Sequence, residues 1–324
     1  MVSAYHAGLR QRVGIDMRGV PREHRFHTSE LGLCYFEWGQ PDAPPVLLLH
    51  ATGFHARCWD QTVAALPEGY RVVAVDMRGH GRSDKRPPYE WPSFARDIVE
   101  LVQALDLRDA VGVGHSMGGH CLTQVAARLP GAFQRLLLVD PVIVDPESYG
   151  SRRHGGFATA EDHPVARRRA LWRSPEEMIE RFRDRHPFSL WQPQVLEDYC
   201  RHGLLPHAGP EDGYELACPP VVEASIYMGS AATDIYDLIP TIDIPVVVLR
   251  APGRTPEEAE VMDFSKSPTW PGLAARFPHG RDVYLPQHSH FIPMQDPALV
   301  ARFIVDPQAE AAAGAAPGSG TAAP

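Results

Sequence analysis

Ser116 stands in the stretch Val111-Gly112-Val113-Gly114-His115-Ser116-Met117-Gly118-Gly119, where small and apolar residues run into a Gly-x-Ser-x-Gly bend. Leu122, Val125, Ala126 and Leu129 follow at i, i+3, i+4 and i+7, the period of a helix with one buried face. A strand therefore meets a helix at Ser116. A serine on so tight a turn holds a strained backbone conformation, and the residues two before and two after it must lack bulk; glycine supplies that at both places. The hydroxyl is then lifted clear of the sheet, the posture of a nucleophile. Such chemistry requires a histidine to take the proton, an acid to hold that histidine, and backbone N–H groups to receive an oxyanion. A dinucleotide-cradling turn is the competing reading, but G-x-G-x-x-G begun at Gly112 needs glycine where Met117 stands.

A second polar stretch, His50-Ala51-Thr52-Gly53-Phe54-His55, closes the apolar run Pro44 to Leu49. Small residues at a strand's carboxyl end let a backbone N–H face a crevice, and that of Thr52 is the expected oxyanion donor, with Gly53 behind it. His50 and His55 read as anchors of neighbouring loops. The run Asp76-Met77-Arg78-Gly79-His80-Gly81-Arg82-Ser83-Asp84 reads as turn geometry and ion pairing beside the sheet.

The elements that must carry these residues follow from hydrophobic period. Two short strands are expected between Phe26 and Trp38, then buried strands at 44–50, 71–75, 111–115, 136–139, 245–250 and 282–285. Between them fall helices on Trp59, Val63 and Leu66, on Phe94, Ile98, Leu101, Val102 and Leu105 with Pro92 near its start, after Ser116, near 271–277, and at 297–304. That alternation predicts an α/β fold: a mostly parallel sheet covered on both faces, with ligands outside the carboxyl ends of its strands. From 142 to 241 the rhythm breaks into a segment of helical composition, read as a helical cap inserted between the strand ending at Asp140 and the strand at 245–250. Its aromatics serve its own small core and the underside of a lid, and Phe54, Trp172, Trp191 and Tyr227 are the expected substrate-binding residues. The core is read as 24–141 and 242–306, with a loose N-terminal arm at 1–23 and an Ala/Gly/Pro/Ser tail at 307–324.

Composition narrows the partners. The chain has 324 residues, 44% of them hydrophobic, enough for one large domain with an insertion. A net charge of −9 and basic runs as short as Arg167-Arg168-Arg169 argue against nucleic acid. Neither a signal-like start nor a stretch of about twenty apolar residues is present, so we expect a cytoplasmic protein without a membrane partner. Five scattered cysteines, Cys34, Cys58, Cys121, Cys200 and Cys218, suit reduced, buried thiols better than disulfides or zinc.

Taken together, His50-Ala51-Thr52-Gly53, Asp76-Met77-Arg78-Gly79-His80-Gly81-Arg82-Ser83, Gly114-His115-Ser116-Met117-Gly118-Gly119 and His290-Phe291-Ile292-Pro293-Met294 resemble the α/β-hydrolase superfamily over about 26–304. The resemblance implies a serine hydrolase with nucleophile, acid and histidine in that chain order and no cofactor, the second oxyanion donor being the amide of Met117. It implies His290 as the base. His288 is its neighbour and competitor, and a metal site on the two histidines lacks a third ligand nearby in sequence. Most members carry the acid just past the strand that here ends at Arg250, but Ala251-Pro252-Gly253-Arg254-Thr255 holds no carboxylate. Asp140, on the rigid end of the preceding strand, is the expected acid, and Asp263, ahead of the histidine, is the alternative. The expected reaction is hydrolysis of a carboxylic ester, lactone or thioester of a small to medium apolar substrate through an acyl-enzyme. Carbon–carbon bond hydrolysis, a cofactor-independent perhydrolase or lyase, and a catalytically silent binding protein stand as alternatives.

Overall fold

The computed structural model describes residues 19–149, 157–207, 209, 213–229, 233–255 and 263–310. Its centre is an eight-stranded sheet built from β1 (Arg22–His27), β2 (Gly32–Trp38), β3 (Pro45–Leu49), β4 (Arg71–Asp76), β5 (Ala110–His115), β6 (Phe133–Val139), β10 (Val246–Arg250) and β11 (Gly280–Tyr284). The spatial order is β1-β2-β4-β3-β5-β6-β10-β11. β2 runs antiparallel to both β1 and β4, and every other pairing is parallel.

Parallel strands must be apolar on both faces, and β3 shows why its run is unbroken. Leu47 and Leu49 enter one core with Phe94, Ile98 and Leu101 of α2 (Trp91–Ala104) and Leu122 and Val125 of α3 (Met117–Arg128). Val46 and Leu48 enter the other, with Val63 of α1 (Asp60–Ala64) and Val300, Phe303 and Ile304 of the C-terminal helix α7 (Pro297–Val305). Each fully buried side chain of this size contributes about 1.5–3 kcal/mol relative to exposure. Pro92 sits in the first turn of α2, where its missing N–H costs no helical hydrogen bond.

The chain leaves β3 in one direction to pair with β4 and returns to the other side as β5, so the sheet order reverses between β3 and β5. Such a reversal opens a crevice at the strands' carboxyl ends. Register aligns those ends: Leu49 lies opposite Gly114, His115 opposite Val139, and Val139 opposite Leu249. The loops carrying Thr52, Ser116 and Asp140 therefore emerge side by side.

Several expectations are corrected. β1 begins at Arg22 and pairs with β2 along its length, so the expected arm at 1–23 overruns into the sheet; residues 1–18 lie outside the described residues. At the other end Arg281 donates to the carbonyls of Pro307 and Ala309, which ties the first residues of the expected tail to β11; 311–324 lie outside the described residues. The helix near 271–277 is a single 3-10 turn, Ala274–Arg276. Nor is the insertion after β6 wholly helical. Besides α4 (Pro175–Phe182), α5 (Pro193–His202) and α6 (Pro220–Gly229) it carries a small antiparallel sheet of β7 (Leu171–Trp172), β9 (Gly213–Leu216) and β8 (Leu204–His207). Strands of two to four residues are too short to show a period of two. Among the described residues no helix is long and apolar enough to cross a membrane.

Candidate active site

Ser116 links β5 to α3 with φ 56° and ψ −119°, a left-handed conformation that costs a non-glycine residue about 1–3 kcal/mol. Its own backbone offsets that strain: the N–H donates to Val139 at 3.1 Å, and the carbonyl accepts from Val142 at 3.1 Å and Gly119 at 3.1 Å. A Cβ at Gly114 would lie 2.5 Å from the Gly118 carbonyl oxygen, and one at Gly118 would run into the carbonyl oxygen of Leu49. The flanking glycines are thus required by contact, as the spacing suggests.

The Ser116 hydroxyl lies 3.0 Å from Nε2 of His290, and Nδ1 of the same ring lies 2.7 Å from Oδ2 of Asp140. With Nδ1–H donating to the carboxylate, Nε2 is left to accept the serine proton. Asp140 is fully buried. Its other oxygen accepts from the Ala251 N–H at 3.0 Å and the Ser267 hydroxyl at 2.6 Å. The Thr269 hydroxyl is 3.3 Å from that oxygen, but its single proton has a closer acceptor in the Pro141 carbonyl, 2.7 Å away. Two donors therefore aim the carboxylate at the histidine. The His290 loop is pinned in turn, its N–H donating to Ser265 at 2.7 Å and its carbonyl accepting from Nε2 of His115 at 2.8 Å. Burial pushes the His115 pKa well below the usual histidine value, with His290 nearby adding to the effect, so His115 acts as a neutral donor.

The competing residues lie elsewhere. His288 directs Nε2 to Asp296 at 3.8 Å. Asp263, the alternative acid, accepts from the Ser265 N–H at 2.8 Å and sits 3.7 Å from His186 on the cavity wall, while Nδ1 of His290 is paired with Asp140. One other cluster, Asp60, Asp198 and His202, brings its oxygens and nitrogen within 4.8 Å of one another, but Asp60 is bound by Arg57 and Asp198 by Gln61.

Thr52 lies on the loop after β3, and its hydroxyl donates to the Met117 sulfur at 3.4 Å. The Gly53 N–H is committed to Nε2 of His80 at 3.0 Å, which removes it as a donor to the cavity. Among the described residues the N–H groups of Thr52 and Met117 are given to no acceptor, and that of Met117 opens α3, where the helix dipole favours negative charge. His80 takes its role from its own Nδ1, which lies 2.9 Å from the Arg78 carbonyl. His50 repeats the pattern, Nδ1 to the Ala51 carbonyl at 2.7 Å and Nε2 accepting from Met77 at 3.0 Å. Burial depresses both histidines, His50 to about 4, so they stay neutral and can accept. The loop-anchoring part of His80 is not visible in the sequence, because Gly53 and His80 are 27 residues apart.

A cavity of about 780 Å³ opens over Ser116, His290 and Thr52. Phe54, Trp172, Trp191 and Tyr227 are among the residues that line it. Phe54 packs against Trp191 at 5.6 Å and Tyr199 at 5.4 Å between ring centres, and Trp191 against Phe291 at 5.4 Å. Trp172 and Trp191 also pack in one apolar cluster with Met178, Val195 and Leu196 of the insertion. Sequence reading missed an ion pair in this wall. Arg168 binds Glu223, and its other terminal nitrogen reaches the Tyr199 hydroxyl at 3.1 Å. Burial raises the Glu223 pKa against the pull of Arg168, and raises Tyr199 to about 12. A partner 55 residues away leaves no local trace.

These features place the chain in a family. It belongs to the alpha/beta hydrolase family, whose model matches residues 46–303. A non-heme chloroperoxidase of Streptomyces lividans is 42% identical over 113 residues, 34% of this chain and 41% of that protein. A bifunctional esterase/perhydrolase of Acinetobacter calcoaceticus is 37% identical over 122 residues, 36% of this chain and 44% of that protein. Similarity thus spans less than half the length of these curated relatives. Among solved structures, E-2-(acetamidomethylene)succinate hydrolase aligns with a TM-score of 0.69 over 88% of this chain and 98% of the other; at 20% identity the likeness is one of fold.

Proposed function

We propose that the protein is a serine hydrolase that cleaves a carboxylic ester through an acyl-enzyme. The observation that carries the reading is the hydrogen-bonded series from Ser116 through His290 to Asp140, at 3.0 Å and 2.7 Å. Ser116 attacks the carbonyl carbon while His290 takes its proton, and Asp140 holds the ring and stabilises the imidazolium. The oxyanion is received by the N–H groups of Thr52 and Met117, each expected to be worth about 10²-fold or more in rate. His290 returns the proton to the leaving alcohol, then draws one from water as the acyl group departs. The insertion at 142–241 acts as a lid whose aromatic underside receives the apolar part of the substrate. Five buried free thiols suit a reducing compartment such as the cytoplasm.

The test is a series of p-nitrophenyl esters of rising chain length, with labelling by a serine-directed phosphonate, on wild type and Ser116→Ala. Turnover and stoichiometric labelling in the wild type, both lost in the variant, are expected. Absence of both in the wild type would leave a hydrolase-like binding protein. A second reading, perhydrolysis, is supported by the similarity to the bifunctional esterase/perhydrolase of Acinetobacter calcoaceticus. There the acyl-enzyme passes its acyl group to hydrogen peroxide instead of water, so acetic acid and peroxide give peracetic acid and water. Peracid formation outpacing ester hydrolysis would favour it.

A further inference from the structure

The wall of the cavity carries six cationic side chains, Arg168, Arg169, Arg181, Arg185, Arg254 and Lys266, against two carboxylates, Glu223 and Asp263. The chain as a whole is biased the other way, with 40 acidic residues to 31 Lys and Arg. Its sign here is local. Two of the six are neutralised where they stand, Arg168 by Glu223 and Arg169 by Glu177 at 2.9 Å. Arg169 also lies over the Trp172 ring, 4.3 Å from its centre. Arg254 reaches Asp263 through the backbone carbonyl, at 2.8 Å, and not through its carboxylate.

Arg181 and Arg185 differ from these. They stand four residues apart, Arg181 in the last turn of α4 and Arg185 three residues past its end, both exposed, and no carboxylate within 4.0 Å is paired with either among the described residues. Arg183, between them in sequence, is engaged by Glu180 and Asp184, at 3.7 Å each. The acids of this segment are taken by other arginines, Glu176 by Arg201, Glu177 by Arg169 and Arg173, and Glu180 and Asp184 by Arg183, which leaves the two cavity-lining guanidinium groups open among the described residues. Phe188, Trp191 and Phe291 line the same cavity and form a continuous series of ring contacts, 4.8 Å and 5.4 Å between centres, that ends 5.7 Å from the His290 ring.

We propose that the substrate carries an anionic group, a carboxylate at the far end of its acyl chain from the scissile carbonyl, received by Arg181 and Arg185. This rests on the serine hydrolase reading and names its substrate class: half-esters of medium-length dicarboxylic acids. Two guanidinium groups offer planar forked donors that suit a carboxylate, and unpaired cations on a cavity wall concentrate anions ahead of binding. The aromatic stretch takes the methylene chain between the two ends.

The experiment compares the p-nitrophenyl half-ester of adipic acid with the p-nitrophenyl ester of methyl adipate, the same chain without the charge. At low salt we expect kcat/KM to favour the half-ester by about 10-fold or more, a preference that shrinks in about 0.5 M NaCl as the charges are screened. The ratio is expected to fall towards one in Arg181→Gln/Arg185→Gln and to return in Arg181→Lys/Arg185→Lys, which separates charge from shape. A ratio at or below one in the wild type, or one that the Gln pair leaves unmoved, overturns the proposal. An acyl-coenzyme A, whose phosphates sit on the leaving side, forms a control arm; dependence on the arginine pair in that arm alone would also overturn the carboxylate assignment. Should neither ester turn over and no phosphonate label Ser116, the hydrolase reading fails by itself. Calorimetric titration of Ser116→Ala with the half-ester and its methyl ester then decides the charge preference: tighter binding of the half-ester, lost in the Gln pair, upholds it, and equal binding overturns it.

Discussion

At Asp140 one carboxylate oxygen is held by Ala251 and Ser267 and the other faces Nδ1 of His290. Asparagine there keeps the shape and the first two bonds, but presents an NH₂ group to the ring. The ring must then carry its proton on Nε2, pointing at the nucleophile it should accept from. Asp140→Asn is therefore expected to lower kcat by about 10³–10⁴-fold on a neutral p-nitrophenyl ester, with little change in KM. Asp263→Asn, whose carboxylate contacts Ser265 and His186, is expected to change the same rate by less than about threefold. Initial rates on the two variants check this, and the reverse order would assign the acid to Asp263. The sequence left that choice open for a physical reason: Asp140 and His290 are 150 residues apart, and the donors that steer Asp140 come from two further segments. Ser116 was legible because its constraint is local, a strained residue between two obligatory glycines.

The elements were legible where their pattern is long and one-sided. Runs such as Val46 to Leu49 and Val246 to Leu249 feed both cores at once, so they read as buried strands without help from tertiary context. β7 to β9 did not, because two to four residues carry no period and β7 pairs with a strand more than 40 residues further along the chain. The strand–helix junction is where element geometry is least forgiving. Gly118 lies on the second residue of α3 against the end of β3, and a methyl group there meets the Leu49 carbonyl oxygen, a backbone atom that cannot swing aside. Gly118→Ala should separate α3 from the sheet and disturb Thr52 three residues further on. We expect a loss of about 2 kcal/mol or more in urea unfolding, together with loss of phosphonate labelling. A variant of wild-type stability would show that the junction is looser than this packing implies.

Across the whole molecule the buried histidines tie stability to pH. His120 is fully buried on α3, packed edge-on to Trp91 at 4.5 Å, with Nε2 3.2 Å from the Thr233 carbonyl and Nδ1 3.2 Å from the Gln124 amide. Burial lowers its pKa from 6.5 to about 4, the Thr233 carbonyl opposing the shift only in part. The folded value lies below the unfolded one, so the unfolded chain binds the extra proton. Stability from neutral burial is complete above about pH 6.5 and is lost as pH falls towards about 4. A shift of this size corresponds to about 3 kcal/mol. His50 and His55, each lowered to about 4 by burial, add in the same sense, while Asp60, raised to about 6 by burial, opposes them across part of the window. Total stability against pH therefore mixes signs, and a difference measurement isolates one group. His120→Gln keeps a donor and an acceptor but cannot charge. The stability of the variant relative to wild type, from urea unfolding at pH 7 and pH 4.5, should rise by about 2–3 kcal/mol on acidification. A difference that stays constant with pH would mean that His120 takes up its proton inside the folded core, against the burial that surrounds it.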